Sequence, residues 1–162
     1  MKKEILENQI TTWLTNQFMK GDDVKIVDIF YKKNLSKEHD KRLREINNID
    51  LLDFVTDFSI LMNINNVPQI GFINRVVNSI GLREIGEMQV YCRVAKPLFA
   101  FLISSKGFSS EIGAFLLNEL VVENLFSYEN RHIIGFQMVD SCPVNDSILP
   151  ITYRKNLWTN LN

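Results

Sequence analysis

Histidine and cysteine are scarce in this chain, and their scarcity removes several chemistries at once. His39 and His132 are the only histidines, and neither has cysteines or acids beside it at the spacing that zinc ligands adopt. Cys92 and Cys142 lie far apart and form no CxxC pair, which fits a reducing compartment. Glycine-rich dinucleotide fingerprints, a P-loop and a G-x-S-x-G elbow are also missing, so nucleotide cofactors have no anchor and a Cys-His nucleophile could arise only by chance juxtaposition. No run approaches the roughly 20 apolar residues that a membrane-spanning helix needs. Met1-Lys2-Lys3-Glu4 leads into an amphipathic pattern instead of a signal peptide's apolar stretch, so a cytoplasmic location is expected.

Prolines number only four, while 46% of the residues are hydrophobic and 23% are charged, a balance that argues against disorder and low complexity. A chain of 162 residues can bury a core without metals or disulfides, and one domain spanning 1–162 is expected, with 143–162 a tail packed upon it. Net charge is only -1, which does not advertise nucleic-acid binding. Between Lys32 and Arg44, however, six bases (Lys32, Lys33, Lys37, Lys41, Arg42, Arg44) face two acids (Glu38, Asp40), a local excess of four. That segment reads either as a solvated helix face or loop, or as a phosphate-facing patch on an otherwise acidic protein.

Leu6, Ile10, Trp13, Leu14 and Phe18 recur at helical spacing and stop before Gly21, which predicts an opening helix with Trp13 in the core. Val24 to Tyr31 reads as a strand. Ile49 to Met62 fits a helix at its start and extended chain at its end, and in either form Asp53 and Asp57 share a face. Gln69 to Val77 reads as a strand after Pro68, and Asn78-Ser79 with Gly81 as a turn into a second strand, Ile85 to Tyr91, giving an antiparallel hairpin. On that second strand Glu87 and Gln89 would share one face, either as its solvated side or as part of a polar site. Leu98 to Ile103 is long enough for one fully buried strand. Ser104 to Ser110 then reads as a loop before a helix through Ile112, Phe115, Leu116 and Leu120. Its N-terminus, with Lys106 and a capping Ser109 or Ser110, is a candidate anion site. His132 to Val139 reads as a last strand with His132 at its edge, and Leu149, Tyr153, Leu157 and Trp158 as tail residues that fold back on the domain.

This succession of elements, together with Pro68-Gln69 and Glu87-Met88-Gln89, resembles the core of the PD-(D/E)XK nuclease superfamily from about Val67 to Val139, with the first helix also in place. The resemblance implies an α/β fold of restriction-endonuclease-like type, with a mixed central sheet flanked by helices. It implies a metal site too. In that family an Asp after Pro and an acid in the next strand bind Mg²⁺, and a Lys two residues on serves the attacking water, because phosphodiester hydrolysis needs a hard divalent ion held by anionic oxygens. Glu87 matches the second acid. Gln69 stands where the family has its metal-binding Asp, and Gln89 where it has Lys. Metal ligation would therefore fall to Glu87 with Asp57, Asp53 or Glu7, with Asp57 the preferred partner, and Gln69 and Gln89 would complete the catalytic group.

Three functions are consistent with these residues. A divergent Mg²⁺-dependent nuclease would cut DNA and contact phosphate through Lys96 or Lys106. An inactive relative would bind nucleic acid, with DNA the expected partner in either case, through the Lys32 to Arg44 segment and the Ser104 to Ser110 loop, with Lys41, Arg42, Arg44, Arg93, Lys96 and Lys106 as the contacting bases. A protein-interaction or oligomerisation scaffold would use the same fold without nucleic acid, and the resemblance allows a homodimer.

Overall fold

The computed structural model describes residues 2–18, 24–31 and 56–159. Helix α1 (Lys2–Phe18) opens the chain as the apolar spacing predicts, with Leu6, Ile10, Trp13 and Leu14 buried on one face. Strands β1 (Val24–Tyr31), β2 (Phe58–Ile64) and β3 (Val67–Val76) form an antiparallel meander. A two-residue turn joins β2 to β3. Its Asn65 and Asn66 both have positive φ (50° and 64°), the conformation that a tight hairpin requires and that asparagine tolerates.

Helix α2 (Leu82–Ala95) carries the chain from β3 to the parallel strand β4 (Phe99–Ser104), every residue of which is buried. Two short helices, α3 (Ser110–Phe115) and α4 (Glu119–Phe126), then lead through the two-residue strand β5 (Ser127–Tyr128) to β6 (Arg131–Val139), which is parallel to β4. A last short strand, β7 (Cys142–Pro143), pairs with β6. The sheet order β1-β2-β3-β4-β6-β5 is mixed, and helices cover both faces.

Alternation along the strands divides the core in two. Ile70, Phe72, Val76, Ala100, Leu102 and Ile133 meet α2, α3 and α4 on one face. Ile73, Phe99, Phe101, Ile103, Ile134 and Phe136 meet α1 on the other. The C-terminal stretch also lies on this second face: Trp158 stacks on Trp13 with ring centroids 5.4 Å apart, and Tyr153 is buried in the same cluster. Close packing of β3 on β4 depends on Gly71, where a Cβ would lie 2.2 Å from the Phe99 ring.

Two expected elements fold otherwise. Ile85 to Tyr91 is helix, not strand, and β3 pairs with β2 and β4 instead of forming a hairpin with it. The window from Ile85 to Tyr91 is too short to separate the two periods. Over fourteen residues, Ile85, Met88, Cys92 and Ala95 recur every three or four positions and are the buried residues of α2. Glu84 fixes the helix start by accepting the Gly81 N–H at 2.9 Å. The single helix expected after Ser110 is two, interrupted at 116–118, where Asn118 caps α4 by accepting the Val121 N–H.

Candidate functional site

A polar cleft of about 360 Å³ lies between α2 and the C-terminal end of β3. Asp57, Asn74, Arg75 and Asn78 line its sheet side, and Arg83, Glu84, Glu87 and Tyr91 its helix side. Asp57 is set in place by its neighbours. Its own N–H donates to Asn74 Oδ1 at 2.8 Å, and its Oδ2 accepts the Arg75 N–H at 2.9 Å. The Arg75 side chain is only 9% exposed and reaches two carboxylates, Asp57 Oδ1 at 3.3 Å and Glu7 Oε2 at 2.5 Å. Its guanidinium also lies 5.6 Å from the centroid of the Phe58 ring. A cation is thus built into the sheet between Glu7 of α1 and Asp57.

Glu87 and Asp57 line the same cleft, and each is paired with an arginine. Both Asp57 oxygens accept hydrogen bonds from Arg75, and Glu87 Oε1 pairs with Arg83 Nε one helical turn away at 3.1 Å. Among the described residues no group of three or more His, Cys, Asp or Glu side chains is placed to hold a metal ion. The donor set therefore does not fit the Mg²⁺ that the nuclease resemblance implies, and no hydrolytic step follows from it. Burial and the charge of Glu87 raise the pKa of Tyr91, which keeps its phenol neutral at the cleft wall.

The other expected site residues lie apart from this cleft. Residues on a helix are separated by about 100° each, so Glu87 and Gln89 point in directions about 200° apart. Gln89 donates from Nε2 to the Leu125 carbonyl at 2.6 Å and ties α2 to α4. Gln69 sits opposite Met62, five residues and about 16 Å along β3 from Asn74. The basic residues are likewise divided. Arg93 and Lys96 lie at the far end of α2, about 15 to 20 Å from Arg83, and Lys96 faces Glu129 at 3.8 Å. Lys106 is exposed on the loop after β4, while Lys41, Arg42, Arg44 and Asp53 lie outside the described residues.

The loop expected to hold an anion is closed on itself. Ser104 Oγ donates to the Asn78 carbonyl and accepts the Lys106 N–H, and Gln137 Nε2 donates to the Ser105 carbonyl. Ser109 precedes α3 without making a side-chain cap. His132 is more than an edge residue. Its Nε2 contacts Glu123 of α4 and its Nδ1 contacts Tyr153 Oη at 2.8 Å, so it joins α4, β6 and the C-terminal stretch.

A second surface lies beside that junction. Leu116, Glu119, Val122, Glu123, Leu149 and Ile151 are among the residues lining a groove of about 190 Å³ between α4 and the 149–152 turn. Of its lining residues Ile151 is 53% exposed and Leu116 43%, and next to them in the chain Leu117 is 95% exposed, Leu120 70% and Val121 37%. The helical spacing of Ile112, Phe115, Leu116 and Leu120 predicts one helix. The break at Asn118 turns Leu116 and Leu120 outward instead. The signal for this surface is legible in hindsight, since residues 107–130 hold four acids (Glu111, Glu119, Glu123, Glu129) and no Lys, Arg or His. Arg75 had a signal as well: a charged residue in the largely apolar run Ile70 to Val77, next to Asn74, needs partners.

Comparison of the chain with protein-family models, with curated proteins and with solved structures gives no match.

Proposed function

We propose that this chain is a non-catalytic domain of restriction-endonuclease-like architecture that works by docking a protein partner on the α3–α4 surface. The observation that carries the reading is the run of exposed Leu116, Leu117, Leu120 and Val121 at the α3–α4 junction, where Leu116 also lines a groove together with the exposed Ile151. Singly exposed apolar residues are ordinary on any protein. A contiguous set rimmed by polar groups is characteristic of an interaction site. The groove gives a partner side chain a concave seat, and Glu119 and Glu123 at its edge add charge recognition.

The cleft supports the non-catalytic part of the reading. Arg75 pairs with both Asp57 and Glu7 from within the sheet, so a cation already lies between these carboxylates. The bases expected to contact nucleic acid and placed by the structure, Arg93, Lys96 and Lys106, do not form one patch. Protein docking accounts for the apolar surface, and nucleic-acid binding does not.

A photo-crosslinking amino acid in place of Leu117, tested in cells with Val90 as an exposed control on α2, examines this reading. It predicts a discrete protein adduct at position 117 and none at position 90. Equal, diffuse labelling at both positions would overturn it.

A further inference from the structure

Resting on that docking reading, we infer that His132 is the positioning residue of the docking groove, a single imidazole that holds both of its walls. One wall is α4, which presents Val122 and Glu123, and the other is the turn from Leu149 to Thr152. Glu123 contacts His132 Nε2, while Tyr153, the residue that follows the turn, places its Oη 2.8 Å from Nδ1. The His132 and Tyr153 rings also meet edge to face, with centroids 5.5 Å apart. His132 itself is set by the sheet, since it pairs with Ser127 of β5 and is followed by Ile133, which pairs with Ala100 of β4.

Burial fixes the floor of the groove. Val122 and Leu149 lie in the same core cluster, and Leu149 exchanges backbone hydrogen bonds of 2.9 and 3.0 Å with Gly135. Glu123, Ile151 and Thr152 are exposed, so burial does not place them, and the contacts with His132 restrain the two walls there. Hydrogen-bonding capacity dictates the task of each nitrogen. A carboxylate only accepts, so Nε2 carries the hydrogen toward Glu123. In the neutral ring Nδ1 is then an acceptor and takes the Tyr153 O–H. A ring rotated away from this pose loses its hold on both walls at once.

The ring and the walls are tested separately in the full chain. With His39→Gln removing the other histidine, ¹⁵N NMR at about pH 8 should show His132 as the Nε2–H tautomer. Amide hydrogen exchange reads the walls. His132→Phe keeps an aromatic ring but neither nitrogen, and should speed exchange about tenfold in α4 and in residues 149–154 together while leaving β4 unchanged. His132→Gln retains one donor and one acceptor and should restore most of that protection. Glu123→Ala should act mainly on α4 and Tyr153→Phe mainly on the turn, and neither should add to His132→Phe. In cells, the position-117 adduct should fall in His132→Phe and persist in His132→Gln.

An Nδ1–H tautomer overturns the inference, as does unchanged exchange of the two walls in His132→Phe. Exchange that rises equally in β4 overturns it too, because His132 would then support the whole fold and not the groove. Equal loss of the adduct in the Phe and Gln variants has the same force. A wild-type chain that gives no adduct at position 117 removes the docking reading instead, and the tautomer and the exchange of the walls still decide whether His132 holds them.

Discussion

Arg75 governs the electrostatics of the cleft because two carboxylates from different elements depend on it. Its side chain is nearly as shielded as a core residue, and removing one partner from such a cluster leaves the others charged without compensation. Arg75→Met should therefore destabilise the fold by about 3 kcal/mol, read from the denaturant midpoint. Glu87 is the contrasting case. It is half exposed and, among the described residues, is paired with the well-solvated Arg83, so Glu87→Ala should change stability by no more than about 0.5 kcal/mol. Comparable losses in the two variants would show that the cleft is not organised around Arg75. Sequence alone favoured Glu87 because a polar pair at i, i+2 is conspicuous. Arg75 escaped notice because its partners, Glu7 and Asp57, are remote in the chain and meet it only through the packing of α1 and β2 on β3.

Elements with a long, regular pattern were legible, and short or mixed patterns were not. α1, β3, β4 and β6 follow their apolar spacing, and the buried run from Leu98 to Ile103 is the centre of the sheet as expected. The stretch from Ile85 to Tyr91 satisfies period two locally, yet its flanks obey the helical period, and tertiary burial of Met88 and Cys92 decides the outcome. Met88→Asp should accordingly destabilise the protein by several kcal/mol, since it places a charge at a fully buried position of the helix. Gln89→Ala should remove about 1 kcal/mol through loss of the bond to the Leu125 carbonyl. Equal tolerance at both positions, measured by chemical unfolding, would contradict a helix that buries Met88. The surface at α3–α4 was hidden for a related reason. Leu116 and Leu120 are four apart and look core-facing on one continuous helix, but the chain breaks between them.

At the scale of the whole molecule, stability should decline in alkali. Cys92 lies in the α2 core and Tyr128 under α2, where its hydroxyl donates to the Pro97 carbonyl. Burial pushes both groups above their ordinary values of 9.0 and 10.0. In the folded chain both stay protonated, while in the unfolded chain they ionise as pH passes 9.0 and then 10.0. The unfolded state then binds fewer protons, so the stability they contribute is complete below about pH 8 and is lost progressively above pH 9. Unfolding followed from about pH 8 to about pH 10.5 should show this decline, and Tyr128→Phe should flatten it at the upper end. A flat profile for the wild type would remove both groups from the buried core.

The same molecule-wide view separates the two surfaces: a cleft whose Asp57 is already paired with the internal cation Arg75, and an apolar face that is not covered among the described residues. The account depends most on the first of these, because a cleft that loads a divalent ion would return the chain to metal-dependent chemistry. Titration of Mn²⁺ into the full chain, followed by water-proton relaxation with Asp57→Asn as the control, measures this directly. We predict no saturable binding that Asp57→Asn abolishes. Stoichiometric Mn²⁺ binding to the wild type that disappears in Asp57→Asn would contradict the assignment of Arg75 as the cation of this site.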